Sequence, residues 1–278
     1  MRRFGGLLLA CLLGCAGIPA FAESDVIRPG EERFTFTIGA FLSAFDSNLR
    51  IDNASVQGSP VNVADDLGAD RETSGIRAGA EWRFAPRHRI GLTYSRLEIS
   101  GVRAATRQIQ IGDEIFPVGA TISSEMKLTL IPALYSYSLL KSESDELAAT
   151  IGVHWSRISF KAHGSPSLGV QDPSGDVSAK SDVPLPLVGL RWDHHFSQRW
   201  SAGLQGGGFS LGFGKGTLDI EGDIWSAAAY GEYRFSKHLA LGLTIEGLHV
   251  SVDASARTWQ GTIEYDHWGP QLFLKARF

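Results

Sequence analysis

The chain has 278 residues, with 26 Lys and Arg against 30 Asp and Glu, for a formal net charge of −4 at pH 7. That balance excludes the basic footprint of a nucleic-acid-binding protein. Both cysteines, Cys11 and Cys15, fall in an N-terminal apolar run, so a disulfide scaffold or a cysteine-based metal or redox site is excluded once that run is removed.

Met1-Arg2-Arg3 precedes "FGGLLLACLLGCAGIPAFA". A basic start, a short apolar core and the small residues Ala20-Phe21-Ala22 predict a secretory signal peptide over residues 1–22. Residues 23–278 are then one domain. Glycines and a proline in the run argue against a retained anchor. "LLGC", ending at Cys15, loosely matches a lipoprotein cleavage box, but the later site follows a longer apolar stretch and fits better. No later run approaches the ~20 apolar residues of a membrane helix. That test is blind to barrel strands, whose apolar residues occupy alternate positions.

Period-two patterning dominates the rest of the chain. Residues 34–42 set Phe34, Phe36, Ile38 and Leu42 against Thr35, Thr37 and Gly39. Residues 76–84 set Ile76, Ala78, Ala80, Trp82 and Phe84 against Arg77, Gly79, Glu81 and Arg83. Ile90, Leu92 and Tyr94 mark a third strand. A fourth, over residues 122–139, carries Tyr135, Tyr137 and Leu139 in one phase and Met126, Leu128 and Leu130 in the other, which predicts a bulge near Pro132. Leu147 to Trp155, Pro186 to Trp192, Trp200 to Leu204, Trp225 to Phe235, Leu239 to Ile245 and the C-terminal "PQLFLKARF" supply six more.

Short connections at residues 85–88, 141–146, 197–199 and 236–238 alternate with long polar ones at about 46–72, 102–121, 163–181 and 254–264, plus a tight turn near Lys215. This is the habit of an up-and-down membrane barrel with tight inner turns and longer outer loops. The predicted fold is therefore all-β, a transmembrane antiparallel barrel of ten strands, with eight or twelve as alternatives. Charges of both signs join Gly, Ser and Thr on the polar face, where a narrow lumen can pair them: Arg77, Glu81, Arg83, His154, Arg191, Asp193, His195, Glu232, Arg234 and Glu246. Trp82, Phe84, Tyr137, Trp192, Trp200, Tyr233 and Phe235 sit near the turns on the other face, as girdles at a lipid boundary do.

The tail, with Leu272, Leu274, Ala276 and Phe278 in alternation, resembles the C-terminal signature of Gram-negative outer-membrane β-barrel proteins. Ala276 stands where a larger residue is usual. "RHRIGLTY" and "GDEIFPVGA" are similar to stretches of predicted outer-membrane proteins without an assigned activity. The resemblance implies residence in the cell outer membrane as a monomer, contact with its lipids and lipopolysaccharide, and recognition of the last strand by the barrel-assembly machinery. No cofactor or metal is expected, and the interior should be largely filled.

Several groups could carry chemistry. In "RWDHHF", Arg191, Asp193 and His195 share the polar face and could poise a histidine for acid–base work, although an ion-pair cluster near a short turn explains them as well. Asp65, Asp66, Asp70 and Glu72 could hold a divalent cation, but EF-hand spacing is absent, so a solvated acidic loop is the simpler reading. "RQIQIGDEIFPVGATI" predicts a hairpin turning at Gly112-Asp113, with Ile109, Ile111, Ile115 and Phe116 as an apolar face. The chain resembles outer-membrane aspartyl-type proteases in strand count alone, and neither a GxSxG nor an HExxH motif occurs. The expected role is non-enzymatic: envelope integrity, surface contact or a narrow pathway for small molecules. The rival is a hydrolase acting on lipid or peptide at the outer rim.

Overall fold

The computed structural model describes residues 30–52, 56–165, 175–215, 218–255 and 260–278. The expected signal peptide and its cysteines lie outside them. The elements are β1 (Phe34–Ile51), β2 (Val61–Asn62), β3 (Glu72–Ala85), β4 (His88–Ala104), β5 (Ile109–Ile111), β6 (Glu114–Phe116), β7 (Thr121–Lys141), β8 (Asp145–Ser165), β9 (Asp176–His195), β10 (Trp200–Lys215), β11 (Leu218–Arg234), β12 (Leu239–Ser255) and β13 (Gln260–Arg277). Ten long strands, β1, β3, β4 and β7 to β13, pair antiparallel in chain order. The last closes on the first from Thr35–Arg277 to Ile51–Gly261. Phe278 seals the seam: its N–H donates to the Phe34 carbonyl at 2.8 Å, and the Phe278 carbonyl accepts from Arg33 N–H at 2.7 Å. All ten predicted strands are present and close into a barrel.

The polarity of the long strands inverts part-way along. Near the short turns the outward residues are apolar and exposed: Phe34, Phe36, Ile38 and Leu42 on β1, Ile151 and Val153 on β8, Leu241, Leu243 and Ile245 on β12. The inward ones there are Thr, Gly, Ser and charges. Farther along, outward positions become charged, and the change falls two residues from an aromatic: Tyr94 to Arg96, Trp155 to Arg157, Trp225 to Asp223, Trp268 to Asp266. Inward positions become aliphatic at the same level, and Phe45, Leu97, Leu128, Phe160, Val250 and Tyr265 form one buried core. The exposed apolar stretch of β1, residues 34–42, is as long as the ~9–11 residues a tilted barrel strand needs to cross hydrocarbon.

This inversion corrects two expectations. There is no bulge at Pro132. Leu92–Ala133 and Ser95–Leu130 belong to one register, with pairing lapsed only beside the proline, and the register shift of β7 lies between Ser138 and Leu140. Met126, Leu128 and Leu130 are out of phase with Tyr135 and Tyr137 because they point inward, into the apolar half. The long polar connections are shorter than expected for the same reason. β1 runs on to Ile51, β8 to Ser165 and β12 to Ser255, although their outward residues have become polar.

The second connection forms the expected hairpin, β5 paired with β6 around Gly112, whose φ of +60° suits glycine. Its apolar face is Ile109, Ile111 and Phe116, buried in the core. Ile115 pairs with Gln110 on the opposite face and is exposed. With β2 and Leu67 the hairpin stoppers the loop end of the barrel.

Candidate functional site

Below the apolar half the lumen holds a lattice of ion pairs, built because inward positions of neighbouring strands bring opposite charges to one level. At the short-turn end Arg83 reaches Glu146 through two parallel hydrogen bonds of 3.0 and 2.8 Å. Ser138 Oγ also donates to Glu146. Arg89 lies 3.3 Å from Glu81, 3.3 Å from Glu146 and 3.6 Å from Asp193. Arg191 joins Glu81 at 2.7 Å and Asp193 at 3.0 Å, and the Tyr230 hydroxyl donates to Asp193. Lys275 and Arg277 share Glu232. Glu32, just before β1, approaches Arg277 at 3.1 Å and Arg234 at 3.5 Å. Charges withdrawn from water persist only when paired and hydrogen-bonded in this way. Together these side chains floor the barrel.

Higher in the lumen Arg77 pairs bidentately with Glu246 and donates to Gln271 at 2.9 Å and Ser95 at 2.8 Å. His267 Nε2 lies 3.6 Å from Glu246, and its buried Nδ1 has no hydrogen-bond partner among the described residues. His154 Nδ1 meets Ser156 Oγ at 3.2 Å, and that hydroxyl meets Tyr265 at 3.1 Å. All ten charged or histidine residues picked from the polar face point into the lumen, but at two levels: Arg77, Glu246 and His154 above, the others in the floor. His195 engages Ser201 at 2.9 Å and, among the described residues, pairs with no carboxylate, so Arg191, Asp193 and His195 form no acid–base group. Sequence reasoning missed Glu32, Arg89, Glu146, Tyr230, Lys275 and Arg277. The last two stood on the polar face of the tail, while Glu146 lay in a stretch read as a turn.

A chamber of about 330 Å³ separates floor and apolar core; its wall is more apolar than polar, with Leu134, Leu187, Leu190 and Phe273 beside the hydroxyls of Thr37, Thr93, Ser226 and Thr244 and the amide of Gln205. Phe273, the apolar exception in the tail, points inward and lies where any side chain on Gly242 would collide with it.

Outside the lumen, Asp65 pairs with Arg71 at 2.8 Å and Asp66 with Arg107 at 3.0 Å, so two of the four carboxylates of the acidic loop are engaged by arginines. His249 lies between Asp266 at 2.7 Å and Asp223 at 3.4 Å, beside Glu264. His163 and Asp176 are 2.7 Å apart near the loop end. Both histidine–carboxylate pairs stand on the outward face of the wall.

No protein-family profile matches the chain, and no curated protein matches it. Among solved structures, the outer-membrane protease OmpT of Escherichia coli aligns with a TM-score of 0.58 at 14% identity, over 88% of this chain and 97% of that one. The translocator domain of the autotransporter NalP from Neisseria meningitidis aligns with a TM-score of 0.50 at 12% identity, over 88% of this chain and 89% of that one. At such identities the likeness is one of fold. With its closed ten-strand architecture, the chain has the fold of bacterial outer-membrane β-barrel proteins.

Proposed function

We propose that the protein is a monomeric, non-conducting barrel of the Gram-negative outer membrane, exported by residues 1–22, with its short turns in the periplasm. Its role is surface contact, carried by the half that stands above the lipid. The observation that supports this most is the double stopper: an ion-pair floor at one end and an apolar core at the other. An apolar interior above the membrane does nothing for solute flow, but it makes the projecting half a rigid platform for loops, packed as the inside of a soluble domain is packed. Leu272, Leu274, Ala276 and Phe278, outward on the closing strand, form the edge offered to the assembly machinery, and the aromatics above and below the belt meet lipid and lipopolysaccharide headgroups.

The hydrolase reading is the weaker one. A nucleophile or activated water needs a positioned base and a site shaped around the reacting atom, and His163 and His249 face outward from a convex wall. Planar-bilayer recording tests the main reading. The purified barrel should insert without steady openings under conditions where a general porin conducts. Reproducible ohmic single-channel steps would refute closure.

A further inference from the structure

The wall is not continuous. β9 and β10 pair from His195–Ser201 to Val188–Gly208, and there the ladder ends. Among the described residues β9 continues to Asp176 paired only with β8, and β10 continues to Lys215 paired only with β11. The sequence supplies the cause. Pro184 and Pro186 pair with Trp155 and Val153 of β8 and leave no ladder towards β10, and a proline has no N–H to donate. Pro132 and Pro270 interrupt one neighbour in the same way, at Thr93–Tyr94 and Leu42–Ser43, but those ladders resume. Two prolines spaced by two remove successive donors on one edge, and this ladder does not resume.

The open edge of β10 starts at the upper aromatic level, where Gly208 pairs with Trp225; that of β9 starts lower, at Leu187 beside Gly152 and Val153 of β8, and reaches the aromatic level at Pro184, which pairs with Trp155. The edges therefore begin within the apolar belt on β9, where Pro186 has no N–H to leave unserved, and run on above it, where water can serve unpaired backbone groups that hydrocarbon could not. At its foot Gly189 and Gly207 pair directly, and both line the chamber, as does Leu187 just above. With floor and core closing the axis, the seam is the approach left among the described residues.

The chamber's chemistry narrows its occupant. Each cation facing it already has an anion: Arg77 with Glu246, Arg191 with Glu81 and Asp193, Lys275 with Glu232. A charged solute would find no free counter-charge. By contrast, among the described residues Thr37, Thr93, Gln205, Ser226 and Thr244 make no side-chain hydrogen bond and the buried His267 Nδ1 has no hydrogen-bond partner. The volume sits at the lower end of ligand pockets. We propose that the chamber is a binding site for a small uncharged polyhydroxylated solute of monosaccharide size, entered sideways through the β9–β10 seam.

The test exploits a mature chain without thiols. Thr244→Cys, and separately Ser226→Cys, places one thiol in the chamber of the refolded barrel, and modification by the small neutral reagent methyl methanethiosulfonate is followed by mass. Modification should proceed, and excess glucose should slow it while equivalent sodium glutamate does not. Closing the seam, either with a Leu187→Cys/Phe209→Cys disulfide or by restoring donors with Pro184→Val/Pro186→Val, should slow it about tenfold or more, and reduction of the disulfide should restore it. The proposal is overturned if neither thiol reacts, if neither closure changes the rate, or if glucose and glutamate act alike.

Discussion

Glu146→Ala should lower the unfolding free energy of the refolded barrel by about 3–5 kcal/mol, the cost of leaving a buried ion-pair partner uncompensated. Glu146 accepts two hydrogen bonds from Arg83 and one from Ser138, and lies 3.3 Å from Arg89. Arg83 and Arg89 are buried together with the carboxylate, so its removal strands guanidinium charge at the bottom of the lumen. Asp193 and Glu81 remain near Arg89, but Arg83 loses its carboxylate. Replacing Arg83 and Glu146 together with methionine should cost less than Glu146→Ala alone, because an apolar pair of similar volume leaves no arginine without a carboxylate. Denaturant titration in lipid vesicles measures both. Equal stability of Glu146→Ala and the native chain would show that the floor is solvated and open.

Leu128→Ala should cost about 2–5 kcal/mol, the range for a large-to-small change in a packed core. Leu128 is fully buried between Leu97 of β4 and Ile158 of β8, its register partners on either side. The outward neighbour Thr129→Ala should stay within about 0.5 kcal/mol, as surface changes do. The contrast matters because a water-filled upper lumen would make Leu128 nearly as dispensable as Thr129. The same titration reads it, and similar small losses at both positions would mean that the upper half has no core.

These two residues also mark the limit of what the sequence discloses. The belt half was legible because lipid and lumen impose a plain alternation, as in Ile76 to Phe84 against Arg77 to Arg83. Above the belt the strands continue, but their apolar residues change sides. A reader following exposed apolar positions loses the strand at Leu42 or Trp155 and takes Leu128 as out of phase. The floor was half legible. Arg83 or Glu232 can be placed on the lumen side from alternation, but which charges meet depends on strands closing around the lumen. Glu32 and Glu146 sat in stretches without alternation. Pro186 stood at the start of a predicted strand and Pro184 just before it; that they part β9 from β10 follows only from the register of three strands.

The central claim is that each strand meets hydrocarbon over its turn-end half and water over its loop-end half. Arginine substitution along one outward face of β12 tests it most directly, with Leu243→Arg in the belt and Ser251→Arg above it. The account predicts a loss of about 2–4 kcal/mol for the first, the cost of a cation near the bilayer midplane, and a change within about 0.5 kcal/mol for the second. Equal tolerance at both positions, or a larger loss at Ser251, would contradict it.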